Sequence, residues 1–220
     1  MGIDISVLKH LKHCSSYGKY NSTVTLARQE IHVQTNSILD GNAYGGFCEN
    51  MLIDYFGSTK VDSIDNSSYE NATIIHDMNQ IIEKNSNIDD YDTVLDLGTL
   101  EHIYNINNAF LNVSKLCKVG GQIIHVLPGD CQCGHGFWQF SPELFFSLYS
   151  SKNGYEQTEV FYADIQSNKV EKLNSPSNGR RIEIKAYRPI YIMVRTVLSR
   201  KNYSHSEVQQ SDYMYLWENN

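Results

Sequence analysis

Two histidines and one glutamate stand beside glycine-containing segments, in a pattern that suits proton transfer. Glu101 and His102 are adjacent, and His135 lies between Gly134 and Gly136. An imidazole gains and loses a proton near neutral pH, so His102 or His135 can act as a general base toward a hydroxyl group. Glycine on both sides predicts a mobile loop that closes His135 over a substrate. The structural alternatives are a backbone-bonding role for His102 and a dipole-stabilised place for Glu101 in a first helical turn.

Acidic residues follow two of the predicted strands. Asp65 follows the second strand, and Asp77, with Met78 directly after it, follows the third. A carboxylate accepts two hydrogen bonds from a vicinal diol, which makes Asp65 a candidate for binding a ribose. Asp77 is a candidate acceptor for the exocyclic amine of an adenine, and Met78 for a contact with the ring face. Taken singly, each aspartate could instead cap a helix or a turn.

These side chains meet only if their strands end at one edge of a sheet, and the sequence predicts such a sheet. Strand-like and helix-like segments alternate, which is typical of a doubly wound α/β domain with a mostly parallel sheet. A late antiparallel strand pair is expected at 158–163 and 190–198. Earlier strands are expected at 22–26, 60–65, 72–76, 91–97 and 122–127, and helices at 47–56, 107–117 and 141–149.

The domain organisation follows from these segments. We expect an N-terminal helical segment at 1–20, a main domain at 21–200 and a polar, frayed tail at 201–220. Residues 166–181 are expected to form a polar connection. Residues 118–121, which combine a lysine with two glycines, are expected to end the third helix.

Composition limits the classes of function. The chain has 220 residues, which favours one domain, and a formal charge of −7, which argues against binding nucleic acid. No apolar run reaches the ~18–20 residues of a membrane helix, and the first residues lack the pattern of a signal peptide. Five cysteines without framework spacing then favour a cytoplasmic protein. Cys131, Cys133 and His135 could hold zinc but lack a fourth ligand. The sequence leaves open whether the protein forms a homodimer.

Several segments, in order, resemble class I methyltransferases that use S-adenosylmethionine (SAM). Residues 92–102 are similar to the Asp-x-Val-x-Asp-x-x-x-Leu-Glu-His stretch of that superfamily. Residues 118–121 are similar to its Leu-Lys-Pro-Gly-Gly turn, with Val119 in place of proline. The resemblance covers roughly residues 20–165 and implies a Rossmann-like fold with SAM as the cofactor. The cofactor-binding positions that it implies are Asp65, Asp77, Met78, Asp96 and Gly98.

The segment after the first strand departs from that superfamily, because its Gly-x-Gly loop is absent. Leu26-Ala27-Arg28-Gln29 resembles instead the Leu-Gly-Arg-Gln of a branch associated with bacterial surface-polysaccharide biosynthesis. A Gly-His-Gly-Phe-Tyr-Gln-Phe-Ser-Pro-Glu-Leu segment of the same branch is matched at 134–144, with tryptophan for tyrosine. Arg28 can replace the loop, since a guanidinium offers a bidentate fork to the methionine carboxylate of SAM. It could equally lie on the surface or pair with Glu30.

The resemblance implies a SAM-dependent methyltransferase with a small-molecule acceptor. We expect O-methylation of a sugar or phosphoramidate precursor of a bacterial surface polysaccharide, with Glu101, His102 and His135 as catalytic residues. Some methyltransferases hold a divalent cation with Glu and Glu-His at this point, so the same three residues are also candidate metal ligands. Gly98 stands where such sites have a further glutamate, which counts against the metal. A non-catalytic Rossmann-like binding or scaffold protein with a degenerate cofactor site is the alternative function.

Overall fold

A central sheet of eight strands organises the computed structural model, which describes residues 2–83, 86, 88–201 and 208–219. The strands of the described residues are β1 (Asn21–Leu26), β2 (Glu30–Ile31), β3 (Gly46–Phe47), β4 (Ser58–Asp65), β5 (Ile74–Ile75), β6 (Tyr91–Asp96), β7 (Cys117–Pro128), β8 (Tyr155–Asp164), β9 (Lys169–Leu173) and β10 (Ile190–Leu198). The helices are α1 (Ile5–Ser15), α2 (Glu49–Asp54), α3 (Ile106–Leu116), α4 (Pro142–Leu148) and α5 (Ser211–Glu218), with a 3₁₀ turn at Leu100–His102. None of these helices has the length and apolar character to cross a bilayer.

The order of strands in the sheet is β5-β4-β1-β6-β7-β10-β8-β9, while β2 and β3 form a separate ribbon. Strands β5, β4, β1, β6 and β7 are parallel, and β10 is antiparallel to both β7 and β8. The predicted fold class, a mostly parallel sheet with an antiparallel C-terminal strand pair, is therefore confirmed. The strand order reverses between β1 and β6, and in such sheets ligands bind beyond the carboxyl ends of the strands at that reversal.

Helices cover both faces of the sheet. Successive residues of a strand point to opposite faces, so Val94 contributes to one core cluster and Leu95 to the other. Helices α3 and α4 pack on the first face, and α1 and α2 on the second. Because both faces are buried, β10 appears in the sequence as a nearly continuous apolar run.

Helix α1 belongs to this core. Its cap is Asp4, whose Oδ1 accepts hydrogen bonds from the N–H groups of Ser6 and Val7 at 2.8 and 2.9 Å. Its residues Leu8 and Leu11 are fully buried. The predicted N-terminal helix therefore packs on the sheet. The boundaries proposed at 1–20, 21–200 and 201–220 stay predictions.

Three segments differ from what the sequence indicated. Helix α3 ends at Leu116 and the chain continues directly into β7, so 118–121 belong to a strand, in which Gly120 has a φ of +83°. The stretch expected to be a polar connection contains β9, which pairs with β8. The tail expected to fray contains α5, whose Ser211 donates from its N–H and Oγ to the carboxylate of Glu143 at 2.9 and 3.1 Å. In the last two cases a contact outweighs a polar local composition: β9 pairs with the preceding strand, and α5 contacts a residue far away in the sequence.

Candidate functional site

The turn after β1 has a backbone conformation that is typical of glycine, although the turn contains no glycine. Ala27 has a φ of +54°, in the left-handed region that favours glycine. The N–H of Ala27 donates to the carbonyl of Ile64 on β4 at 2.8 Å, and the Thr25 hydroxyl donates to the carbonyl of Ala27 at 2.8 Å. These bonds hold a conformation that costs an alanine roughly 1 kcal/mol.

Gln29 places an unused acceptor in this turn. Its side chain is 2% exposed, and its Nε2 donates to the carbonyl of Leu26 at 2.7 Å. Its Oε1 is buried and has no hydrogen-bond partner. Such an acceptor carries a desolvation penalty unless a donor reaches it, so Gln29 is a candidate contact for a cationic or N–H group of a ligand. Our sequence reasoning missed Gln29, although it lies within the Leu26-Ala27-Arg28-Gln29 segment.

Arg28 bonds to other groups of the protein through two of its guanidinium nitrogens. Its Nε donates to Oε1 of Glu49 at 2.5 Å, and its Nη1 donates to the carbonyl of Glu70 at 3.1 Å. Its guanidinium carbon lies 3.9 Å from the centre of the Phe47 ring. Two nitrogens of the guanidinium are therefore bonded within the protein, and the role of Arg28 as a bidentate partner of a carboxylate stays a prediction. The alternative pairing with Glu30 is wrong, since the acidic partner is Glu49.

The two aspartates at the ends of β4 and β5 differ in the hydrogen bonds that their carboxylates already accept. Among the residues that the structure describes, the side chain of Asp65, next to the β1 turn, accepts only a 3.4 Å hydrogen bond from the N–H of Ser67, so most of its acceptor capacity is open. Asp77 accepts from both the N–H and Nδ2 of Asn79 at 2.9 and 2.8 Å, and these bonds hold the pKa of Asp77 below its usual range. Asp77 therefore shapes a turn, the alternative role noted for it, while Asp65 stays free to bind a diol.

Met78 and Asp96 are both buried in this structure. Met78 is 4% exposed and packs in the core, where Nδ2 of Asn112 lies 3.9 Å from its sulfur. Its contact with an adenine ring stays a prediction. Asp96 is fully buried, and its Oδ2 lies 2.7 Å from Nδ1 of His125. The His125 Nε2 in turn lies 2.6 Å from the Tyr149 hydroxyl.

Asp96 positions the turn that follows it. Its Oδ1 accepts from the N–H groups of Thr99 and Leu100 at 3.1 and 3.3 Å, at the start of the 3₁₀ turn. Gly98 has a φ of +91°, which lets the chain reverse toward that turn. Asp96 and Gly98 thus fix the residues that follow them, and their contacts with the cofactor stay predictions.

The 3₁₀ turn brings Glu101, His102 and His135 together. The carboxylate of Glu101 is fully buried, and neither oxygen has a hydrogen-bond partner. Its Oε1 lies 3.5 Å from Nε2 of His135 and 3.7 Å from Nε2 of His102. One ligand atom from each residue lies within 4.8 Å of the others, so the three could hold a metal ion. Within the described ranges this metal-competent cluster does not include the exposed Cys131 and Cys133.

The environment changes the protonation of this cluster. Burial, reinforced by the nearby charge of Asp96, raises the pKa of Glu101 to about 8. Burial, followed by the neighbouring His135, lowers the pKa of His102. Without a metal ion, Glu101 is therefore protonated at neutral pH and His102 is a neutral imidazole. A protonated carboxyl beside a neutral imidazole is a donor and acceptor pair suited to moving a proton.

The loop that carries His135 is docked against the 3₁₀ turn. The N–H of Phe137 donates to the carbonyl of Glu101 at 2.8 Å, and Nε1 of Trp138 donates to the carbonyl of Ile103 at 2.9 Å. A Cβ on Gly136 would lie 2.8 Å from the carbonyl oxygen of Glu101, so only glycine allows this approach. His135 is thus held beside Glu101 in this structure, and the closure of a mobile loop over a substrate stays a prediction.

An apolar cavity of about 330 Å³ lies next to this loop, between α3 and α4. Trp138, Phe140, Phe110 and Leu144 contribute to its walls, with Gln139 as a polar neighbour. Its volume is at the lower end of the ~300–1,000 Å³ typical of small-molecule sites. The segment 134–138 contributes His135 to the proton-transfer cluster and Trp138 to the wall of the cavity. The cavity is therefore a candidate pocket for the acceptor.

Comparisons with known proteins address the fold. No protein-family model and no curated protein matches the sequence. A solved SAM-dependent methyltransferase from Thermotoga maritima is similar over 88% of this chain and 88% of its own, with a TM-score of 0.51 and 12% identity. The N-methyltransferase NodS from Bradyrhizobium japonicum is similar over 88% of this chain and 94% of its own, with a TM-score of 0.48 and 13% identity. The chain therefore has the Rossmann-like fold of class I SAM-dependent methyltransferases.

Proposed function

We propose that the protein is a SAM-dependent methyltransferase with a small-molecule acceptor. The observation that carries the proposal is the open carboxylate of Asp65 beside the glycine-like turn of β1, at the carboxyl edge where strand order reverses. Asp65 would bind the ribose diol, and the unpartnered Oε1 of Gln29 would accept from the α-ammonium group. SAM, when bound, supplies an electrophilic methyl group.

The Glu101–His102–His135 cluster would serve the acceptor. A neutral His102 can take the proton of a hydroxyl, while Glu101 and His135 orient it or relay the proton. A proton acceptor at this position supports O-methylation over a methyl transfer that needs no base. Sugar or phosphoramidate precursors of a bacterial surface polysaccharide are the acceptors that the resemblance of segments 26–29 and 134–144 favours.

Cofactor binding can be tested without the acceptor. S-adenosylhomocysteine should raise the melting temperature of the wild type and give a saturable titration heat. Asp65→Ala should weaken the affinity about tenfold or more, because a diol then loses a charge-assisted pair of hydrogen bonds. Asp54→Ala, which removes an exposed aspartate at the end of α2, is the matched control and should change nothing. No effect of millimolar S-adenosylhomocysteine on the wild type would favour the non-catalytic binding protein.

The histidines can be tested once turnover of an acceptor is measurable. His102→Ala or His135→Ala should lower turnover ~10²–10⁴-fold if that residue is the base. Affinity for S-adenosylhomocysteine should stay unchanged in both variants, since neither side chain belongs to the turns at Asp65 and Gln29. Turnover within a few-fold of wild type in both would remove the histidines from the reaction.

A divalent metal is a second use of the same cluster, and one observation favours it. Both oxygens of Glu101 are buried without a hydrogen-bond donor, and two imidazole nitrogens lie beside Oε1. Imidazole and carboxylate ligands together suit Zn²⁺, Mn²⁺ and Fe²⁺. Titration of chelator-treated protein with Mn²⁺ or Zn²⁺ should then show binding that Glu101→Gln abolishes. Cys133→Ser, on the same loop but outside the cluster, is the control and should leave the affinity unchanged.

A further inference from the structure

A buried arginine on β10 makes no salt bridge with any residue in the part of the chain that the structure describes. Arg195 is 5% exposed, and its Nε donates to Oε1 of Gln122 at 2.9 Å. Its Nη1 is buried without a hydrogen-bond partner. Glu159, its neighbour across the β8–β10 pair, is bonded instead to His13 and Lys172. Because a guanidinium stays charged at any physiological pH, burial without a counter-charge is strongly unfavourable.

The groups around the guanidinium do not neutralise it. The ring of Tyr17 covers one face, with 3.9 Å between its centre and the guanidinium carbon. The Tyr17 hydroxyl donates to Glu159 at 3.0 Å, so the ring is anchored in that position. Gln122 supplies a neutral amide. Arg195 therefore keeps a net positive charge that this part of the protein does not balance.

A small polar cavity of about 140 Å³ lies beside Arg195. Lys19, Asn21 and Gln122 line it together with Arg195, and Asp92 forms part of its wall. The Asp92 carboxylate is already occupied, because it accepts from Ser22 Oγ and lies 3.0 Å from Nζ of Lys118. The exposed Lys19 makes no salt bridge within the described ranges. The positive charge of Lys19 and Arg195 thus predominates at this cavity, on a chain whose total charge is −7.

Size and position separate this cavity from the candidate active site. Pockets for whole small ligands are usually ~300–1,000 Å³, so a cavity of about 140 Å³ suits a single oxyanion or one phosphoryl group. Asn21 begins β1 and Asp92 lies near the start of β6, so the cavity lies at the amino ends of the parallel strands. Asp65 lies at the carboxyl ends, roughly 20 Å away along a six-residue strand such as β1.

We propose that Arg195 and Lys19 form a binding site for a tetrahedral oxyanion, phosphate or sulfate, at the sheet edge opposite the candidate active site. The fork of a guanidinium matches two oxygens of such an ion, and Lys19 adds a second cationic donor. The bound oxyanion offsets the buried charge of Arg195 and therefore stabilises the folded state. The site is independent of methyl transfer and does not rest on the function proposed above.

The test is a titration of the full-length protein with inorganic phosphate, with sodium chloride adjusted to keep ionic strength constant. Wild type should show a saturable rise in melting temperature and a matching calorimetric affinity. Arg195→Lys keeps the charge but loses the fork, and should weaken the affinity about tenfold. Lys19→Gln changes an exposed side chain, so folding is preserved, and should weaken the affinity about fivefold.

Lys152→Gln, which removes an exposed lysine far along the chain, is the control and should bind phosphate as the wild type does. Titrations with methyl phosphate and a hexose phosphate show whether the ligand is a free ion or the phosphoryl group of a larger molecule. Equal affinity for them indicates the phosphoryl group of a larger molecule, and binding only of inorganic phosphate and sulfate indicates a free ion. Both results support the site. No saturable shift in the wild type, or equal affinity in Arg195→Lys, Lys19→Gln and wild type, would overturn it.

Discussion

Replacing Glu101 by glutamine should stabilise the metal-free protein, and the gain should grow as pH rises. The Glu101 carboxylate is fully buried, has no hydrogen-bond partner, and has a pKa raised to about 8 by burial and by Asp96. In the unfolded chain a glutamate releases its proton near pH ~4.3. Glutamine has nearly the same shape and stays neutral, so it removes the titration while keeping the packing.

The sign and size follow from proton linkage. Above about pH 4.5 the unfolded state binds fewer protons at this position than the folded state, which holds its proton until about pH 8. Stability of the wild type therefore falls with rising pH through this window, by up to ~1.4 kcal/mol per pH unit. The accumulated difference is about 3 kcal/mol at pH 7 and about 4–5 kcal/mol at pH 8. At or below about pH 4.5 Glu101→Gln and wild type should be nearly equal in stability.

Urea denaturation of both proteins, in the presence of a chelator and at several values from about pH 5 to about pH 8, measures this difference. Glu156→Gln, at an exposed glutamate on β8, is the control and should show no such trend. A stability difference between Glu101→Gln and wild type that is constant across the range would refute the reasoning. So would a wild type that is more stable than the variant at high pH without metal. A bound divalent ion should reverse the order, because it favours the ionised carboxylate.

Three other substitutions test how the site is built. Ala27→Gly should stabilise the protein by roughly 0.5–1 kcal/mol in urea denaturation, because glycine adopts the left-handed conformation without strain, and a loss of stability would contradict that account. His125→Phe leaves the buried carboxylate of Asp96 without its partner and should cost about 3–5 kcal/mol, so a cost below about 1 kcal/mol would show that this pair does not support the turn. Gly136→Ala would place a methyl carbon 2.8 Å from the carbonyl of Glu101 and should cost about 1–3 kcal/mol, with faster proteolysis of the loop as the local measurement. Unchanged proteolysis and stability would mean that the loop accommodates the methyl group elsewhere.

The strands and the meeting of Glu101, His102 and His135 could be predicted from the sequence. The strands have strong local signals, such as the apolar run of β10, which is buried throughout. The cluster followed from the parallel sheet, because Glu101–His102 and His135 each follow the carboxyl end of neighbouring strands β6 and β7. Segments whose structure depends on a partner, such as β9 and α5, gave no such local signal.

The contacts of single polar residues were harder to predict, because they depend on register. Asp96 pairs with His125 because the register of β6 against β7 places these two residues opposite each other. Arg28 pairs with Glu49 because the ribbon after β1 returns the chain to that turn at α2. A sequence shows that Asp96 and Arg28 are polar and near a strand end, but not which neighbouring side chains bond to them.

The bonds between segment 134–138 and the carbonyls of Glu101 and Ile103 bear on how this site can change in evolution or by engineering. Transplanting residues 98–102 alone into another sheet of the same strand order would carry Glu101 and His102 without the contact that sets their distance to His135. The two segments must be exchanged together, since each supplies the backbone atoms that the other binds. Variation in acceptor preference is accordingly easier to introduce at the apolar walls of the neighbouring cavity, such as Leu144, whose side chain forms none of these bonds.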